Sequence, residues 1–144
     1  VTDTKPRSYP HAVAIKDALE DADLTVGDHG APKNASGNVI TPCVVFRMEP
    51  SAPPMSSVGK DGTDVLLRFR LTAYDLTADG AQFYADKVFD AMDGAELLVE
   101  DRAIFRVRRV NVAGVDRDMD VTPNVFYCPT PYSLLSVSAP EESS

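Results

Sequence analysis

Between Asp64 and Tyr74 the chain alternates with a period of two. Val65, Leu67, Phe69, Leu71 and Ala73 fall on one side, and Leu66, Arg68, Arg70, Thr72 and Tyr74 on the other. Only an extended strand sends such a set to two opposite faces. A strand that is apolar on one side and mostly polar on the other belongs to a sheet with one packed and one wet surface. The rest of the chain must therefore supply flanking strands and a cover for the apolar side.

The cover is readable as two helices. Thr77 to Gly94 carries Ala81, Tyr84, Ala85, Val88 and Met92 at helical spacing, with Phe89 beside them; Thr77 is placed to cap it and Gly94 to end it. Asp79, Gln82, Asp86, Asp90 and Asp93 make the opposite stripe, with no Lys or Arg on that line. Tyr9 to Ala22 reads as a second, shorter helix, with Ser8 as N-cap and Pro10 in its first turn. For strands, Val39 to Met48 is rich in β-branched and aromatic residues, and Pro42 predicts an edge or bulge at its start. Ala103 to Val112 alternates but slips at Arg108 and Arg109, which predicts a β-bulge there. Asn124 to Ser138 reads as a last strand, in which Pro129 and Pro131 predict an edge or a bend. Leu97 to Glu100 reads as a short strand or turn, and Gly27 to Asn38 and Ala113 to Pro123 as loops. Glu49 to Thr63, with Pro50, Pro53, Pro54, Gly59 and Gly62, reads as a long hairpin-like arm. The order predicts an α+β fold: a mainly antiparallel sheet with two principal helices packed on one face. The 144 residues form a single domain in this reading, with residues 1–8 and 139–144 as flexible tails.

Charge narrows the range of partners. Fourteen Lys and Arg against 22 Asp and Glu give a net charge of −8. That argues against general nucleic-acid binding and against docking on an anionic membrane. No apolar run approaches the ~20 residues of a spanning helix, and the opening Val1 to Arg7 lacks the apolar core of a signal peptide. Cys43 and Cys128 lie in apolar, strand-like runs and read as two reduced, buried thiols.

Catalytic chemistry finds little support. His11 and His29, with the two cysteines, lack metal-ligand spacing. Asp28-His29 pairs a base with an acid, but no nucleophile elbow accompanies it. Gly59-Lys60 lacks the phosphate-loop spacing, and Asp116, Asp118 and Asp120 lack the Gly and Glu of a calcium loop. No catalytic, cofactor or metal residue is assigned, and no enzymatic activity is expected. The alternative from another class is a small ligand-binding or enzymatic domain using the His29 loop.

What stands out is charge on two surfaces. Arg68 and Arg70 share the polar face of one strand, and Arg106, Arg108 and Arg109 cluster on another. If those strands are neighbours they form a basic patch, readable either as a surface for an acidic partner or as a polar face neutralised by local carboxylates. Asp79, Asp86, Asp90 and Asp93 complement it, as head-to-tail self-association would need.

The order of segments resembles the tail terminator proteins of long-tailed bacteriophages, especially those of phages infecting actinobacteria. Carrying the resemblance are Pro42-Cys43-Val44-Val45-Phe46 before the long loop, and Ala81 through Asp93-Gly94 (AQFYADKVFDAMDG) after a strand ending in Tyr74. It extends over about residues 9 to 138. It implies a non-catalytic virion protein without cofactors, at the head-proximal end of the tail and assembled in the host cytoplasm. Such a protein caps the tail tube as a homo-hexameric ring and meets the head-tail connector, and DNA passes through its lumen. Head-completion and neck adaptor proteins at the same junction share the size and some of the pattern. In that setting Arg68, Arg70, Arg106, Arg108, Asp79, Asp86, Asp90, Asp93 and, on the arm, Pro53, Pro54 and Met55 are the expected contact residues, with the tail tube protein and neck proteins as partners.

Overall fold

The computed structural model describes residues 8–49, 65–100, 102–104, 106–111, 114–118 and 125–138. Residues 50–63 of the arm, with Pro53, Pro54 and Met55, residues 1–7 and 139–144 of the predicted tails, and Asp120 lie outside the described residues; Ser8, predicted at the end of the first tail, opens a helix. In chain order the elements are α1 (Ser8–Asp21), β1 (Val26–Asp28), β2 (Cys43–Met48), β3 (Val65–Asp75), α2 (Ala78–Met92), β4 (Arg102–Ile104), β5 (Arg108–Arg109), β6 (Asp116–Asp118) and β7 (Val125–Ser138).

The strands make one sheet. β1, β2, β3 and β7 follow one another across it, and β4, β5 and β6 share the far edge of β7. Every pairing is antiparallel except β1 with β2, so the fold is α+β with a mainly antiparallel sheet, as the alternation predicts. The alternate residues of β3 named above are buried from Val65 to Ala73, and Arg68 and Arg70 are exposed on the other face. On the buried face, rings from three adjacent strands meet: Phe46 lies 6.0 Å from Phe69, and Phe69 stacks on Tyr132 at 5.8 Å and 13°. Ile15 and Leu19 of α1 and Tyr84, Val88 and Met92 of α2 close over them. Both helices therefore cover the same side of the sheet.

Local chemistry fixes the ends of α2. Thr77 has extended backbone, and its Oγ1 accepts from Gly80 N at 3.0 Å, satisfying one of the free amides of the first turn. At the other end the Asp93 amide donates to Phe89 O, and Gly94 takes a left-handed φ of 78° that favours glycine.

Three expectations change. Gly27 and Asp28, predicted as the start of a loop, belong with Val26 to a strand parallel to β2. Thr25 anchors it: its amide donates to Tyr84 Oη at 2.8 Å and its carbonyl accepts from Val44 N at 2.8 Å. Gly27 is essential to that path, because a Cβ there would lie 2.2 Å from Gly30 O and 2.8 Å from Pro32 Cδ. Second, β7 is neither an edge strand nor broken by Pro129 and Pro131; it is bonded on both sides. Pro131 O accepts from Val110 N at 2.9 Å, so the polar edge of Pro131 faces away from β3. Pro129 has the same parity, and the edge on which it lacks an N–H faces the interval between β5 and β6, where no described strand is in register to need that donor. Third, Asp116–Asp118, predicted as a polar turn, is a strand; of the two readings for Leu97 to Glu100, strand or turn, the turn holds.

The slip predicted near Arg108 is real and lies just before it. Arg108 lies four positions after Ile104, while their partners Ser136 and Ser133 on β7 are three positions apart. One extra residue on the outer strand is the definition of a bulge. Val107 leaves the β7 ladder there: its amide donates to Ala95 O at 3.2 Å and its carbonyl accepts from Gly94 N at 2.7 Å.

Candidate interaction faces

The sheet presents its uncovered face as a row of arginines. Arg68 on β3 and Arg108 on β5 are each in register with Ser133 of β7. The two strands are thus not neighbours; β7 runs between them, and the two side chains flank it on one face, two strand spacings apart (about 9.6 Å). Arg47 of β2 is in register with Arg70 of β3 and extends the row. Like charges directly opposite one another are unfavourable, and Glu49 relieves this pair by an ion pair with Arg70 at 3.1 Å. Arg106 pairs with Glu96 at 3.0 Å. Arg47, Arg68 and Arg108 have no carboxylate within ion-pair distance among the described residues.

Two grooves cross this face. Leu66, Leu135 and Ser133 floor one of about 580 Å³, with Arg106 and Arg108 at its rim. Val45, Thr72 and Pro129 floor another of about 360 Å³, flanked by Arg47, Arg70, Tyr74 and Tyr127. Tyr74 and Tyr127 are in register, with ring centres 5.9 Å apart. Burial pushes the Tyr74 phenol above its ordinary range, and the charge of Asp118 adds to the effect.

The acidic stripe of α2 lies on the other layer of the molecule, and the fold divides it. Asp79, Asp86 and Asp90 are exposed. Asp93 is half-buried, and its Oδ1 accepts from the Arg109 amide at 2.9 Å. Arg109 turns toward the helices, its guanidinium carbon 3.8 Å from the centre of the Phe89 ring. Asp86, Arg109, Cys128 and Thr130 are among the residues that line a cavity of about 250 Å³ beside α2.

The other candidates are structural in their settings. His11 is buried, with Nε2 2.8 Å from Ser136 Oγ, which also accepts from Arg102 Nε at 2.9 Å. This link ties α1 to the sheet across 125 residues of sequence, and no local signal announces it. Asp28 and His29 do bond to each other, although adjacent, and His29 has left-handed backbone with a φ of 60°. Both are half exposed, and Lys16 Nζ donates to the same carboxylate at 2.8 Å. The Lys16 hydrogen bond, then that of His29, lowers the Asp28 carboxyl. Cys43 shares the face of Tyr74 and Cys128 that of Ala73, so the two buried thiols point to opposite sides of the sheet and are not joined in a disulfide. No group of three His, Cys, Asp or Glu able to hold a metal occurs among the described residues, and no helix there is long and apolar enough to cross a membrane.

Arg47 is the member of the basic row that sequence reading misses. Cys43, Val44, Val45 and Phe46 are all buried, which hides the alternation that would have put Arg47 beside Arg70.

Compared with solved structures, the chain is similar to one in the "Virion of native gene transfer agent (GTA) particle". The TM-score is 0.66 at 16% identity, over 88% of this chain and 93% of that one. The two chains share a fold. No family model and no curated protein sequence matches the chain.

Proposed function

We propose that this chain is a structural protein of a tailed phage or phage-like particle, and that it acts as the tail terminator. In this role copies form a hexameric ring on the last ring of tail tube, at the head-proximal end, and present it to the neck proteins; DNA crosses the lumen without sequence-specific contact. The observation that carries the reading is the fold shared along almost the whole chain with a protein of a gene transfer agent virion. The charge layout supports it: the arginine row and the exposed acids of α2 occupy opposite layers of one molecule. Unlike surfaces on opposite sides favour head-to-tail contacts, which close into a ring when the rotation permits.

The test is the mass in solution by light scattering across protein and Mg²⁺ concentration. A discrete species near six times 15.6 kDa is expected. Replacing Arg68 and Arg70 with Glu should abolish that species and leave circular dichroism unchanged. A chain that stays monomeric and fails to bind isolated tail tubes overturns the terminator role. Binding to neck complexes but not to tubes assigns it to the head-completion position instead.

A further inference from the structure

α2 turns one aromatic side chain to solvent. Phe83 is 63% exposed, and Asp79, Asp86 and Asp90 stand around it at helical spacings, exposed like it. An uncovered ring within a polar rim is the composition of an interface anchor awaiting a pocket. On the opposite layer, the groove of about 580 Å³ has the complementary make-up: Leu66 and Leu135 for the ring, Arg106 and Arg108 for the acids.

We infer that these are the two halves of one contact between copies of this chain. Phe83 of one copy enters the Leu66–Leu135 groove of the next and sets Asp86 and Asp90 against Arg106 and Arg108. The inference rests on the ring reading above and deepens it by naming the contact. Charge selects the occupant: on the groove rim Arg108 has no carboxylate within ion-pair distance among the described residues, Arg106 is held only by the exposed Glu96, and the acids that match them surround an unburied ring on the same chain. Knob and groove lie on different layers, so the contact is heterologous and each copy keeps one free half to pass on. Lys87 is the element that opposes docking. Its Nζ lies 4.9 Å from the Phe83 ring centre, and it carries the same sign as the groove rim. It must swing aside, and its removal should tighten assembly.

The experiment uses the full chain in sedimentation velocity, with circular dichroism to verify folding. Phe83→Ala and Leu135→Glu should each weaken assembly by about 30-fold or more, the loss typical of a central anchor. Lys87→Ala should lower the concentration at which assembly begins. Mixed one to one, Phe83→Ala supplies an intact groove and Leu135→Glu an intact knob, so the pair should form a dimer that grows no further. Should Leu135→Glu unfold, the charge exchange decides: Arg108→Glu and Asp90→Arg should each weaken assembly, and the double variant should recover it. Both knob and groove variants assembling like the wild type would overturn this contact and leave the ring reading standing. A wild-type chain that is monomeric at every concentration would overturn the contact together with self-assembly.

Discussion

Tyr132→Phe should make the protein more stable. Tyr132 is fully buried in the central strand, and its ring stacks on Phe69 at 5.8 Å. Its hydroxyl has no hydrogen-bond partner among the described residues. A buried hydroxyl without a partner forfeits its hydration for nothing, at a cost of about 1–3 kcal/mol. Phenylalanine keeps the ring, the stack and the volume, so the expected gain is about 1–2 kcal/mol. For a domain of this size that is a rise in Tm of about 3–8 °C. Burial also holds the Tyr132 phenol well above its ordinary value of 10.0. A group whose folded pKa is raised supports the fold fully below its unfolded pKa, and that support is lost as pH rises past it. The difference between wild type and variant should therefore be constant up to about pH 10 and widen above it. Urea melts at pH 7, 9 and 10.5 would measure both effects. A variant less stable by about 1 kcal/mol or more at pH 7 would refute the reasoning, because it would mean that the hydroxyl makes a bond worth keeping.

Phe69→Ala, at the centre of the ring stack and fully buried, should cost about 3–5 kcal/mol in a denaturant melt; a loss well under that range would mean that the faces of β3 are misassigned. Gly27→Ala drives a methyl into Gly30 O and should cost about 1–3 kcal/mol, with faster hydrogen exchange at the His29 amide that bonds Phe46 O; unchanged exchange would show that the loop yields without strain. Burial pushes the Cys43 thiol from 9.0 up to about 11, so stability should decline between pH 9 and 11 by about 2 kcal/mol, and Cys43→Ala should flatten that limb of the profile.

The parts of this fold that were legible in the sequence are those whose signal is local. The eleven residues of β3 carry their two faces in their own alternation, and Thr77 and Gly94 bracket α2 by side-chain and backbone preference alone. β1 was illegible because three residues have no periodicity to read; its pairing comes from Thr25, held by Tyr84 of a distant helix. Pro129 and Pro131 misled because an absent donor matters only on the side where a partner strand accepts, and sequence does not say which side that is. The basic face was half legible. Arg68 and Arg70 could be assigned to one surface, but their convergence with Arg108 depends on β7 running between the two strands, which only the topology supplies.

The topology also sets the order in which the molecule can be made. β7 is the last element among the described residues, yet it bonds to β3 along eleven register pairs and carries β4, β5 and β6 on its other edge. While a ribosome is still emitting the preceding residues, β4, β5 and β6 have nothing to pair with, and β3 exposes one whole edge. At 5–20 residues per second that interval lasts seconds. The nascent chain must therefore wait with an open sheet edge, and the sheet locks only when residues 125–138 arrive. A stop codon shortly before Val125 should yield an aggregating fragment rather than a smaller version of the domain.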